Sequence, residues 1–227
     1  MKSNRARFIG CCTVLLLLLF SNPAGAERFA DLMAGISFTE DKAVTFISGS
    51  QRESADPRFD SSFAIGYRMG YWSEHEPYLG VALGIDYTSI EENGDLDISV
   101  LSLSPLVMIR VPLMPSPKYP KGEWLPFVAA GPGLFISKIK YEIANSSVPG
   151  MVGIPGLSGG FEDERVDIGL DLRAGIKKMV APAWAVNLEY RFIWFEPRYE
   201  DYIMGETIQT EIEVYNHSLM LGVSYNF

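Results

Sequence analysis

Cysteine is nearly absent from this 227-residue chain: there are two, Cys11 and Cys12, and both precede residue 27. No disulfide can staple the residues that follow, so closure of the fold must come from packing or from the backbone. Histidine is as scarce. His75 and His217 lie far apart, which leaves only carboxylates as further metal donors and argues against a zinc site. No long apolar run occurs after residue 27, so no spanning helix is expected there. A basic excess is also missing, with 19 Lys+Arg against 28 Asp+Glu, which excludes nucleic acid as a natural partner.

What is present begins with a segment unlike the rest. Lys2, Arg5 and Arg7 form a basic start, Val14 to Phe20 an apolar middle with five leucines, and Ala24-Gly25-Ala26 a small-residue cut site. The pattern predicts a secretory signal peptide over 1–26, cleaved before Glu27, because its apolar core is shorter than the roughly 20 residues a spanning helix needs. Cys11 and Cys12 come before the leucines, the wrong order for a lipidated cut site. Removing 1–26 takes three bases from 19 and no acids, leaving sixteen against 28 and a net charge of −12. The remainder, 27–227, reads as one domain without a linker.

Within it, period-2 alternation recurs in stretches of ten to fifteen residues. From Tyr78 to Tyr87, Leu79, Val81, Leu83, Ile85 and Tyr87 are bulky, while Gly80, Ala82, Gly84 and Asp86 are small or charged. Seven further segments split the same way: 29–39, 62–72, 100–111, 125–137, 165–177, 184–195 and the closing HSLMLGVSYNF. Pro105 and Pro132 fall inside two of them, where a missing donor predicts local irregularity. PYLGVALGI (77–85) and PFVAAGPGL (126–134) are faintly alike, as two strands with one job would be. Long polar connections at 40–60, 88–98, 138–164 and 197–212 alternate with shorter ones, as in outer-membrane barrels. Residues 193–203 and 206–214 read as a hairpin turning near Met204-Gly205.

The strand charges decide which face is inside. Asp31, Arg68, Asp86, Arg110, Asp167, Asp171, Arg173, Lys177, Glu189 and Arg191 all fall on the small-residue faces, and the bulky faces carry none. Five acids against five bases suit a closed interior in a chain this acidic. Aromatics on the bulky faces near strand ends (Tyr67, Tyr71, Trp184, Tyr190, Trp194, Tyr225 and Phe227) suit interfacial girdles. Glycines on the lean faces suit a crowded lumen. The fold class expected is all-β: an eight-stranded antiparallel up-and-down transmembrane β-barrel, whose closure pairs every backbone donor and whose side chains nearly fill the interior.

The signal-like start, the eight amphipathic segments, VNLEYRF (186–192) and the ending HSLMLGVSYNF resemble the small outer-membrane barrels of Gram-negative bacteria, of the OmpA-like and opacity-protein type. The resemblance implies an outer-membrane location with both termini periplasmic. It also implies that Leu221, Val223, Tyr225 and Phe227 form the signal read by the barrel-assembly machinery. Some barrels of that kind deacylate lipid A with a His and a Ser two positions apart; here His217 and Ser218 are adjacent and should point to opposite faces. The expectation is therefore a non-enzymatic structural or surface-interaction protein without cofactor or metal, with a small conduit as the alternative and a lipid A-modifying enzyme third. Its partners would be outer-membrane lipids and lipopolysaccharide, the assembly machinery and an extracellular partner met through the loops. Arg68, Asp86, Arg110, Asp171, Arg173, Glu189 and Arg191 are the candidate lumen network, read as a salt-bridged plug. Val148, Met151, Val152, Ile154 and Leu157 in the uncharged loop 144–160 are the candidate contact residues, because exposed apolar patches mark interaction sites.

Overall fold

A computed structural model describes residues 26–40, 44–48, 51–55, 61–92, 96–142, 160–196, 198–203, 206–211 and 213–227. The strands are β1 (Glu27–Thr39), β2 (Val44–Ser48), β3 (Gln51–Ala55), β4 (Ser62–Trp72), β5 (Leu79–Glu92) and β6 (Leu96–Arg110). They continue as β7 (Trp124–Glu142), β8 (Gly160–Ala181), β9 (Trp184–Phe195), β10 (Arg198–Ile203), β11 (Glu206–Glu211) and β12 (Val214–Asn226). Eight of them close into a barrel in the order β1-β12-β9-β8-β7-β6-β5-β4, every pairing antiparallel. The closing seam joins β1 to β12, and the amides of Arg28 and Phe227 exchange hydrogen bonds at 3.0 and 3.2 Å. Closure is what lets a sheet survive in hydrocarbon, where an open edge would leave a row of unpaired donors.

Alternation of side chains sets the two faces. The bulky rows point outward: Leu32, Tyr67, Ile85, Val107, Val128, Leu172, Leu188 and Leu221 are all exposed. The lean rows point inward, and Asp31, Arg68, Asp171 and Glu189 have no exposed surface at all. A soluble fold would reverse both placements.

Two strands outgrow the bilayer furthest. β7 and β8 have 19 and 22 residues, against roughly 9–11 for a tilted crossing. The described residues of the stretches at 88–98 and 138–164, which read as loops, continue the strands. Pairing runs out to Glu92↔Leu96 and Glu142↔Gly160, because polar residues beyond the rim still satisfy a ladder. At the same end β10 and β11 form the hairpin expected, with Ile203 opposite Glu206. β11 then pairs with β2, so the first and last long connections share a four-stranded sheet in the order β10-β11-β2-β3. The short connections and both ends of the barrel chain lie at the opposite rim.

The prolines explain one flaw in the wall. Between β6 and β7 the ladder runs to Leu103↔Leu134 and resumes at Val107↔Ala130. In that register Pro105 stands opposite Pro132, and three pairs are missing. That is the gap left when one doubly hydrogen-bonded pair has no donor on either side. The backbones nevertheless stay close, since a Cβ on Gly131 would sit 1.9 Å from the Pro105 carbonyl oxygen. Replacing both prolines by valine restores two donors, and the barrel's unfolding free energy in urea should rise by about 1–3 kcal/mol. An unchanged midpoint would mean that these prolines do not face each other.

Candidate functional site: an ionic lumen between aromatic layers

The register assembles the charges. β1 and β4 place Asp31 directly opposite Arg68, and the Arg68 guanidinium donates to Asp31 Oδ2 from Nε at 2.8 Å and from Nη2 at 2.6 Å. Its Nη1 reaches across the lumen to Glu189 Oε2 at 2.6 Å. β8 and β9 place Arg173 opposite Arg191, a like-charge pair that would repel if left alone. Asp171 removes the repulsion by accepting from Arg173 Nη2 at 2.8 Å and from Arg191 Nη2 at 2.7 Å. Asp86, from the far wall, takes a two-pronged bond from Arg173 at 2.6 and 3.3 Å and lies 3.4 Å from Arg191 Nη2.

Two further residues enlarge the network. Lys177 Nζ donates to both Asp31 oxygens, at 2.7 and 3.0 Å, and to Ser224 Oγ at 3.0 Å; Ser224 in turn donates to Asp31 Oδ1. Arg191 also donates to Ser102 Oγ at 2.7 Å. The connected set is therefore Asp31, Asp86, Asp171 and Glu189 with Arg68, Arg173, Arg191 and Lys177, four charges of each sign. Their sum is zero, as desolvated charges require if none is to be left uncompensated.

Arg110 is the one candidate of the lumen set that stands apart. It sits at the short-turn rim, donating to Glu27 Oε2 at 2.6 Å and to the Pro77 carbonyl at 2.9 Å. The other six meet in one network. Asp31 and Lys177, noted in the sequence only as lean-face charges, belong with them.

Large rings on the lumen face are what alternation alone did not reveal. Toward the short-turn rim Phe29 and Trp72 stack at 5.7 Å in a buried cluster with Ala82, Leu106, Met108, Phe127 and Ala129. Lys177 Nζ lies 4.2 Å from the Phe29 ring centre, Arg110 Cζ 4.3 Å from that of Trp72, and Arg68 Cζ 5.0 Å from that of Phe127. Toward the long-loop end Phe135 and Phe195 stack at 4.6 Å. Glycines make room for these rings: a Cβ on Gly80 would meet Trp72 at 2.6 Å, one on Gly133 would meet Phe135 at 2.4 Å, and one on Gly175 would meet Phe127 at 2.7 Å. The lumen is thus a layer of ion pairs between two layers of rings.

Outside the lumen, His217 and Ser218 point to opposite faces. His217 faces outward, hydrogen-bonding Tyr190 Oη at 2.5 Å and Glu40 Oε1 at 3.2 Å. Ser218 is buried inside and donates to Ser37 and Asn216. A general base must reach the proton it abstracts, and this pair does not. No group of three or more His, Cys, Asp or Glu among the described residues could hold a metal ion. Leu221, Val223, Tyr225 and Phe227 form one outward row, exposed by 63, 47, 42 and 60%. Val148, Met151, Val152, Ile154 and Leu157 lie outside the described residues.

Removing one member of the lumen network should be costly. Arg173→Ala leaves Asp86 and Asp171 short of a buried partner, and should lower the unfolding free energy in lipid vesicles by about 3–5 kcal/mol. Leu172→Ala, one residue away on the outer face, should cost far less. Equal effects at the two positions would contradict the inside–outside assignment.

The comparisons with known proteins accord with this geometry. A family model for the outer membrane protein beta-barrel domain matches residues 12–227. The outer membrane protein OprG from Pseudomonas aeruginosa superposes with a TM-score of 0.59 at 14% identity, covering 89% of this chain and 96% of that one. Neisserial surface protein A does so with a TM-score of 0.50 at 15% identity, covering 90% and 98%. No curated protein matches the sequence. At such identities the likeness concerns the fold, whereas the family model spans nearly the whole chain. The chain therefore belongs to the outer membrane protein beta-barrel domain family, as a small eight-stranded barrel of the outer membrane.

Proposed function

We propose that this protein is a non-enzymatic surface barrel, whose sealed lumen acts as a rigid core and whose long loops meet partners outside the cell. The observation that carries this reading is the neutral eight-residue ion network buried between ring layers. A permeation path needs water or mobile charge along its axis, and each of the four cations in this network is held by at least one carboxylate. In this reading 1–26 is the signal peptide, the termini and short turns face the periplasm, and the Leu221–Phe227 row is read by the assembly machinery.

The long connections support the outward role by their shared sheet, β10-β11-β2-β3. Their sequences are acidic: 40–60 holds five acids and three bases, and 197–212 four acids and one base. Such a surface repels nucleic acid and polyanions, so the extracellular partner would be neutral or cationic. The opposite faces of His217 and Ser218 weigh against an enzyme.

Planar-bilayer recording is the test. The wild-type protein should insert without discrete conductance steps, and so should Arg191→Ala, because the ring layers remain. Ion-selective steps that change on Arg191→Ala would replace the plug by a conduit. Lipid A acylation should be the same with and without expression; a shift in its mass would make the barrel an enzyme.

A further inference from the structure

The outward row of β6 does not stop at the barrel. After Val107 and Ile109 it continues through Val111 (51% exposed), Leu113 (44%) and Met114 (66%) into the turn between β6 and β7. That turn, residues 111–123, is a shaped object. Met114 adopts a φ of 54°, the Ser116 and Tyr119 backbones exchange hydrogen bonds at 3.0 and 3.1 Å, and Leu113 N donates to Trp124 O at 2.8 Å. It also docks on its neighbour, with Met179 N donating to Glu123 O at 2.8 Å and Lys178 opposite Trp124 across β7 and β8.

Lysines rim this apolar shelf. Lys178 follows Leu172, Ala174 and Ile176 on the lipid-facing row of β8, and its Nζ lies 4.7 Å from the Trp124 ring centre. Lys118 Nζ lies 5.0 Å from that of Tyr119. Lys121 is 62% exposed, with its Nζ 3.2 Å from Glu27 Oε2, a carboxylate that Arg110 already binds. Glu123 is the one acid within the turn itself. An apolar row that leads into ammonium groups seated over Trp and Tyr is the chemistry of a bilayer's headgroup layer, where aromatic rings and snorkelling lysines both settle.

We propose that Lys118, Lys121 and Lys178, with the exposed shelf Val111, Leu113 and Met114, form a binding site for anionic phospholipid, its phosphodiester on the ammonium groups and its chains along β6 and β8. Continuity with the lipid-facing band favours a lipid over cell-wall polymer, which would need no apolar shelf. Because zwitterionic lipid offers the same chains without net charge, the lysines set the preference. Each should contribute about a fivefold bias at low salt. The site rests on the reading that this rim faces the periplasm, the side that would supply such a lipid.

The test is native mass spectrometry of the purified protein released from mixed micelles of phosphatidylglycerol and phosphatidylcholine. The wild type should retain phosphatidylglycerol preferentially, and the triple variant Lys118→Ala/Lys121→Ala/Lys178→Ala should lose that preference by about a hundredfold. The triple Lys→Arg variant should keep it, and Lys138→Ala at the opposite rim should leave it unchanged. Heat-shifted gel migration reports whether each variant is folded; if the triple variant is not, Lys178→Ala alone should show about a fivefold loss. Equal retention of the two lipids by the wild type, or a preference that survives the triple substitution, overturns the site. Lysine-dependent capture on isolated cell-wall sacculi without a lipid preference overturns it in favour of the wall. The orientation fails separately: a Lys118→Cys variant labelled by an impermeant maleimide on intact cells would reverse the barrel without altering the lipid measurement.

Discussion

Hydrocarbon offers a peptide group no partner, and the rest of this molecule follows from that. Eight strands must pair around a full circle, so each contributes one face to lipid and one to a narrow interior. The interior of a barrel this small is filled by its own side chains. Whatever charge enters must therefore be neutralised there, and whatever bulk enters must find a gap. The network from Asp31 to Arg191 meets the first demand, and the ring–glycine contacts meet the second.

The two demands are coupled by register. Trp72 lies directly opposite Gly80, and Phe127 directly opposite Gly175, so each ring lies across the residue that lacks a side chain. Arg173 and Arg191 face one another for the same geometric reason, and Asp171 two residues along β8, with Asp86 from the far wall, makes that tolerable. Moving a strand by one residue would turn Arg173 and Asp171 to the lipid and Leu172 to the lumen. The ion network thus penalises slippage, a role in specifying one arrangement rather than in adding stability.

Local features of this barrel are legible in the sequence, and the pairings between strands are not. Period-2 alternation in 184–195 and 217–227 showed strands and faces directly, because parity is a local property. The hairpin at 203–206 and the disturbance at Pro105 and Pro132 were likewise local. The partnership of the two prolines, the inclusion of Lys177 with Asp31, and the separation of Arg110 from the other arginines depend on which strand residue lies opposite which. Nothing in a single segment encodes that. The lumen placement of Phe29 and Phe135 is hidden for a related reason: a ring on a lean face contradicts the local pattern unless the glycine beneath it is known.

The central claim is that the bulky rows touch lipid and the ionic rows are enclosed. Nitroxide labels placed one at a time at 170–176 of β8 measure this, because oxygen reports lipid exposure and a nickel chelate reports water. Labels at 170, 172, 174 and 176 should collide with oxygen and not with nickel, while those at 171, 173 and 175 should meet neither. High nickel accessibility at 171 and 173, with 172 and 174 shielded from both reagents, would contradict the account.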